Sequence, residues 1–281
     1  MTRDHIEFIQ NQCLPWQQDR YFTDIESRLL SRDIESCAYT ALHRLRNGQQ
    51  WLENHAITAN EEFYVLAGSF HLNGFEYAAG CYAFLPAGYP RTNCIVMEDA
   101  IVLRMFDSAP LPFEEQDDAI QRAAHRPAIP FLDTYRMQWD RHIHDIKLAH
   151  LGLGRKNLRQ DPITGQRTFL FMTSPQTHPV NWRGPKEMHP TPEEAFLIAG
   201  DLTGEYGTMQ AGAYFWRPPG IAHGPYGSKG GSFSLIRFVG GAHVNLWTEE
   251  LFNFSYSVPY QPIVPQTMQA FIQAPVTTQP Y

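Results

Sequence analysis

Two stretches of the chain carry the same spaced pattern, 132 to 134 residues apart. The first runs Glu53-x-His55, Glu61, Gly68, Gly80, Pro86, Gly88, and the second Glu187-x-His189, Glu193, Gly200, Gly212, Pro218, Gly220. A repeat of that length is a domain, not a rung of a solenoid. Between the markers lie short apolar runs, such as Phe63–Ala67 and Ala213–Trp216, closed by Gly and Pro. Apolar strands separated by turn residues at regular spacing predict an antiparallel sandwich or barrel in each copy.

The second copy also carries metal-ligand chemistry. Glu187 and His189 are two residues apart, so a strand would put both on one face. Glu193 opens the run Ala195–Ala199, and His223 follows Gly220. Two strands closed by turns can aim Glu187, His189, Glu193 and His223 at one point. Imidazole with carboxylate suits Fe(II), Mn(II), Zn(II) or Ni(II) better than Ca or Mg.

These residues resemble the double signature of the cupin superfamily. Its first motif is, in outline, His-x-His, three or four residues, Glu, six residues, Gly. His189, Glu193 and Gly200 match the later part, and Glu187 stands in place of the first histidine. Its second motif, Gly, five residues, Pro-x-Gly, two residues, His, is matched by Gly212, Pro218, Gly220 and His223. The resemblance implies an all-β chain of two tandem cupin-like (double-stranded β-helix, jelly-roll) barrels, a bicupin. The expected division is an arm at 1–37, a barrel at 38–108, a linker at 109–139, a second barrel at 140–255 and a Pro-rich tail at 256–281. Helical hints mark His5–Gln12 and Glu114–Ala124.

The copies differ at the site. Arg91 occupies the place of His223, and an arginine stays cationic and repels a metal ion. Five residues separate His55 from Glu61, against three between His189 and Glu193. The first barrel is therefore expected to be metal-free, with Arg91 either paired with Glu61 or holding an anion. His142 and His144 form a His-x-His upstream of the second set, better read as an edge strand or loop. Lys156–Arg159 either lines a pocket mouth or is solvated.

Composition narrows the partners. The 281 residues are 43% hydrophobic and 18% charged, with a formal net charge of -7. A mildly acidic chain without a basic block argues against nucleic acid. No apolar run approaches membrane-spanning length. The start MTRDHIEFIQNQ lacks an apolar signal core, and Cys13, Cys37, Cys81 and Cys94 form no C-x-x-C pair, so a cytoplasmic protein with reduced cysteines is expected.

The functional expectation is a metal-dependent enzyme holding one divalent transition metal, Fe(II) favoured, and acting as a non-haem oxygenase on a small chelating ketone, enol or aromatic substrate. Glu187 either ligates or is the general base. A redox-neutral isomerase, lyase or hydrolase with Glu187 as base is the alternative, and a non-catalytic small-molecule-binding cupin the third. Leu197, with Ala195 and Ala199, would wall the site if Glu193 points inward. Tyr214 and Trp216 share a face and are candidate substrate contacts. Phe196 and Ile198, on the face opposite Glu193, point to pairing of outer faces in a homodimer.

Overall fold

The structure, a computed structural model, describes residues 3–113, 127–142, 145–176, 178–179, 181–272 and 280–281. Its strands in chain order are β1 (Ile6–Gln10), β2 (Gln17–Gln18), β3 (Glu26–Arg32), β4 (Tyr39–Leu45), β5 (Gln50–Trp51), β6 (Glu61–Leu72), β7 (Phe75–Ala78), β8 (Cys81–Leu85), β9 (Cys94–Phe106) and β10 (Ile129–Asp133). There follow β11 (Gly154–Gln160), β12 (Arg167–Thr173), β13 (Arg183–Met188), β14 (Glu193–Gly204), β15 (Gly207–Gln210), β16 (Ala213–Arg217), β17 (Ser232–Phe238) and β18 (Leu246–Asn253). Helix is confined to short 3-10 turns among the described residues. None of their helices is long and apolar enough to cross a membrane. The fold is all-β and cupin-like.

The chain divides into two compact units, Met1–Arg3 with Pro15–Met137, and Asp4–Leu14 with Gln138–Tyr281. The first is built on an antiparallel sheet in the order β10-β8-β6-β9-β4-β3-β2. The second has the order β1-β16-β14-β17-β12-β11, with a separate ribbon of β13 and β18. The sequence repeat is visible in the strands. β6 and β14, β7 and β15, and β8 and β16 start and end at positions 132 apart, as in Glu61 to Glu193 and Leu72 to Gly204.

Two segments lie differently from the sequence-based division. The stretch expected to be helical at His5–Gln12 contains β1, an edge strand that pairs with β16 in the register Ile6↔Trp216 and Ile9↔Tyr214. All five residues of β1 are buried, which a short strand covered on both faces allows without any alternation. Inside the segment expected to be linker, Ile129–Asp133 is a strand of the first unit, paired with β8. The Glu114–Ala124 helix and His144 lie outside the described residues. In the tail, Glu7 and Ile263 exchange two backbone hydrogen bonds of 2.8 Å, and Tyr260 packs on Phe8, so this part of the tail is tied to β1.

The core of the first unit gathers Phe63, Val65, Phe70, Tyr77 and Val102 between its sheet faces. In the second unit Phe8, Ala195, Leu197, Met209 and Phe215 do the same. The repeated glycines Gly68 and Gly200 have a steric reason. Both sit at positive φ, +70° and +81°, where β6 and β14 bulge. An added Cβ would lie 2.1 Å from the Asp99 carbonyl oxygen and 2.0 Å from that of Gly231. Gly200→Ala is thus expected to lower stability by roughly 2–4 kcal/mol, combining left-handed strain with a backbone clash. Gly48→Ala, at φ +83° with nothing within 4 Å, should lose only about 1 kcal/mol. Thermal unfolding of the two variants checks the difference.

Candidate metal centre

The second unit brings Glu187, His189 and His223 together. One ligand atom from each lies within 4.8 Å of the others, and no second such cluster occurs among the described residues. Backbone pairing fixes the three positions. Glu187 N donates to the His223 carbonyl at 3.0 Å, and His223 N donates back at 2.9 Å. Gly220 N donates to the His189 carbonyl at 2.8 Å. Glu187 is the penultimate residue of β13 and His189 follows its end, so a strand edge and two loops, not one sheet face, supply the set.

The histidine tautomers follow from their partners. His189 Nδ1 lies 2.9 Å from the Val244 carbonyl oxygen, and His223 Nδ1 lies 2.9 Å from that of Ile221. A carbonyl only accepts, so each Nδ1 carries the proton, and in the neutral ring each Nε2 presents a lone pair. His223 Nε2 is buried with no hydrogen-bond partner among the described residues. It faces Glu187 Oε1 at 3.6 Å and Glu193 Oε2 at 3.5 Å, and His189 Nε2 faces Glu193 Oε2 at 3.7 Å. These gaps exceed a hydrogen bond. Lone pairs of nitrogen and oxygen facing one another across such gaps need a cation between them. Ligand atoms about 2.0–2.2 Å from an ion stand roughly 3–3.6 Å apart; the 3.6 Å from His223 Nε2 to Glu187 Oε1 is of that size, so the donor set fits a transition metal.

Glu193 is differently engaged. Arg217 Nη1 donates to its Oε2 at 2.7 Å, and the same guanidinium donates through Nε and Nη2 to Glu7 and at 2.6 Å to the Tyr226 hydroxyl. Burial would raise the Glu193 pKa, but the fixed charge of Arg217 outweighs it and leaves it lowered. The Glu187 carboxyl is likewise held below its ordinary value despite burial. Both carboxylates are therefore ionised at neutral pH.

A small cavity of about 70 Å³ opens beside the trio. Leu197 and Ala195 line it, as the strand alternation from Glu193 implies. Ala199 is exposed instead, because the β14 bulge between Leu197 and Ala199 ends the alternation. Tyr214 and Trp216, the candidate substrate contacts, are on the other face. In β16 it is Ala213, Phe215 and Arg217 that line the cavity, because Glu193↔Arg217 and Ala195↔Phe215 are directly opposed and so share the inward side. Tyr214 is buried on the outer face, where its hydroxyl donates to Glu194 Oε1 at 2.7 Å. Phe196 and Ile198 are buried within the chain as well, so they offer no exposed dimer face.

Sequence reasoning missed four residues here. Glu7 reaches the site from β1, 210 positions before Arg217. Arg217 itself was legible, since a charge closing an apolar strand at the inward parity of Phe215 calls for a buried partner. His243 lines the cavity, stacked on Phe238 at 4.0 Å, and burial, Arg155 and His189 push its pKa down to about 4, so it is neutral. Arg155 lies one residue before the basic segment Lys156–Arg159. It lines the cavity and is 7% exposed, and its side chain has no hydrogen bond or ion pair among the described residues; its Nε is buried and unsatisfied. Its guanidinium lies against the Phe169 ring, 5.2 Å from the centroid.

In the first unit Arg91 occupies the equivalent place. Its Nε and Nη2 donate to Glu61 Oε2 at 3.2 and 2.9 Å, and Arg104 Nε donates to Oε1 at 2.6 Å. His55 is exposed and bridges the Arg91 backbone, as Glu187 bridges that of His223.

Two outcomes follow. His189→Ala and His223→Ala should each weaken Fe(II) or Mn(II) binding by about 100-fold or more in equilibrium dialysis, whereas His55→Ala and Glu193→Gln should retain it. Separately, the Glu7 carboxyl is held at about 2, where Arg217 overcomes burial, against an ordinary 4.5. A lowered folded-state pKa gives stability that is present above 4.5 and lost as pH falls towards 2. The melting temperature of the native protein should therefore fall more steeply between pH 5 and pH 3 than that of Glu7→Gln.

Comparison with known proteins agrees with this fold. No curated protein sequence matches the chain. A Nostoc punctiforme crystal structure, whose description as a dioxygenase is itself provisional, superposes with a TM-score of 0.71 at 19% identity over 90% of this chain and 91% of that one. Escherichia coli protein Ylba, of family model DUF861, gives 0.58 at 12% identity over 85% and 93%. A Bacillus subtilis oxalate decarboxylase variant gives 0.54 at 12% identity over 85% and 78%. At these identities the likeness is one of fold. The family model described as a domain of unknown function, DUF4437, matches residues 21–245, so the chain is a member of that family.

Proposed function

We propose that the second unit is a mononuclear metal enzyme of the two-histidine, one-carboxylate type, a non-haem iron oxygenase acting on a small carboxylic acid. The observation that carries this reading is the trio Glu187, His189 and His223, with both Nδ1 protons tied to backbone carbonyls and the His223 Nε2 lone pair left without a partner. Those three residues would hold the ion. Fe(II) in such a set keeps open positions for a chelating substrate and dioxygen.

The remaining residues have distinct tasks. Arg155 supports an anionic substrate, because a buried guanidinium without a partner is costly until a carboxylate pairs with it. The cavity of about 70 Å³ suits a molecule of few heavy atoms, given ~10–15 Å³ per water on the same measure. Leu197, Phe171 and Phe215 make its walls apolar and keep water from the substrate. Glu193 stays with Arg217 and adds negative charge beside the ion. Tyr226 accepts from Arg217 and keeps its own proton, its pKa raised chiefly by burial, so its hydroxyl is a hydrogen-bond donor towards the cavity. With Glu187 as a ligand, the general-base role considered for it falls away.

The test is oxygen uptake. Protein reconstituted with Fe(II) under anaerobic conditions and given a panel of two- to five-carbon oxo and hydroxy acids should consume dioxygen in step with substrate. Arg155→Leu should raise KM for the productive acid by about 100-fold, the value of a lost charge-assisted pair, with less effect on kcat. Turnover with no dioxygen consumed contradicts the oxygenase and favours redox-neutral chemistry at the same residues.

A further inference from the structure

A larger cavity lies in the other unit. It measures about 560 Å³, eight times that beside the metal trio, and is lined from within the first unit alone. Its walls are apolar and aromatic, with Phe22, Trp51, Phe63 and Phe70 among them. Convergent charge lies at one end. Arg91 and Arg104, both lining the cavity, share the single carboxylate of Glu61, one on each oxygen. That group carries one positive charge in excess. The nearest counter-charge, Asp19, stands behind His43 at 3.2 Å and does not line the cavity; Glu53, on the lining, is an exposed loop residue.

Arg104 is the part of this cluster still able to bind. Its Nε is committed to Glu61 and its Nη1 to His43 Nδ1 at 3.0 Å, whereas Nη2 has no acceptor among the described residues. The guanidinium carbon lies over the Phe22 ring, 4.3 Å from its centroid, and over that of Phe106 at 5.0 Å. A fixed guanidinium edge at the end of an aromatic-walled cavity is a recognition element for a carboxylate. We propose that the first unit, having lost the metal residues, is a separate site for an organic monoanion with an apolar body, its carboxylate on Arg104 and its body against Phe22, Trp51 and Phe70. Its size admits ligands that the second unit's cavity excludes.

Titration calorimetry on the full-length protein tests this, with hexanoate, octanoate and 3-phenylpropionate as probes and 3-phenylpropan-1-ol as the uncharged control. The background is Arg155→Leu, which removes the second unit's unpaired guanidinium, and the probes are too large for that unit's cavity of about 70 Å³. At least one acid should bind one per chain, and the alcohol about tenfold or more weaker, as for loss of a charge-assisted hydrogen bond. Arg104→Gln should weaken the acid to the same degree. Cys94→Trp, which fills the cavity from its lining and leaves the charges in place, should abolish binding while the melting profile confirms folding. The proposal is overturned if none of the acids binds below about 1 mM, if the alcohol binds as well as the acid, or if Cys94→Trp binds unchanged. The outcome is independent of the oxygen-uptake experiment, which reads only the second unit.

Discussion

Imidazole lone pairs and carboxylate oxygens aimed at one buried point repel unless positive charge lies among them. Everything distinctive about the second unit answers that constraint. Arg217 supplies one fixed positive charge, and it is shared between Glu193 and Glu7. Two carboxylates on one buried guanidinium leave that group negative, which favours a cation at the lone pairs of His189 and His223. Glu7 arrives on β1, so the first strand of the chain is an electrostatic component of a site formed some 180 residues later. Breaking one partner of such a buried pair leaves an uncompensated charge, typically a loss of about 3–5 kcal/mol.

The first unit solves the same constraint with protein alone. The backbone frame is retained, down to the paired bridges His55↔Arg91 and Glu187↔His223. What changes is the source of positive charge. Arg91 stands at the repeat position of His223 and, with Arg104, pairs with Glu61, and burial fails to neutralise Glu61 because Arg104 and Arg91 hold its pKa at about 2. A guanidinium is bulky and fixed, whereas an ion is small and leaves coordination positions open. One frame thus hosts a charge cluster beside a roomy cavity, and the other a ligand set beside a tight one.

Much of this was legible in the sequence, for identifiable reasons. The strands of the repeat were readable because their glycines are sterically obligatory, as Gly68 and Gly200 show. Glu187, His189 and His223 were readable because they stand at fixed spacing from Glu193, Gly200, Gly212 and Gly220. Tyr214 and Trp216 were misplaced because alternation gives two faces without saying which is inward. That choice is set by the register Ala195↔Phe215, a property of the pairing and not of either strand. Glu7 and Arg155 escaped because their meaning depends on partners, or the lack of one, that only the folded chain reveals.

The proposed function requires one metal ion among Glu187, His189 and His223. Crystals of the purified protein, measured above and below the absorption edge of the metal found in it, test this most directly. The account predicts one anomalous peak per chain, within about 2.0–2.3 Å of both Nε2 atoms and a Glu187 oxygen, and none beside Arg91. A fully reconstituted protein with no peak at the trio, or with a peak held by other residues, would contradict it.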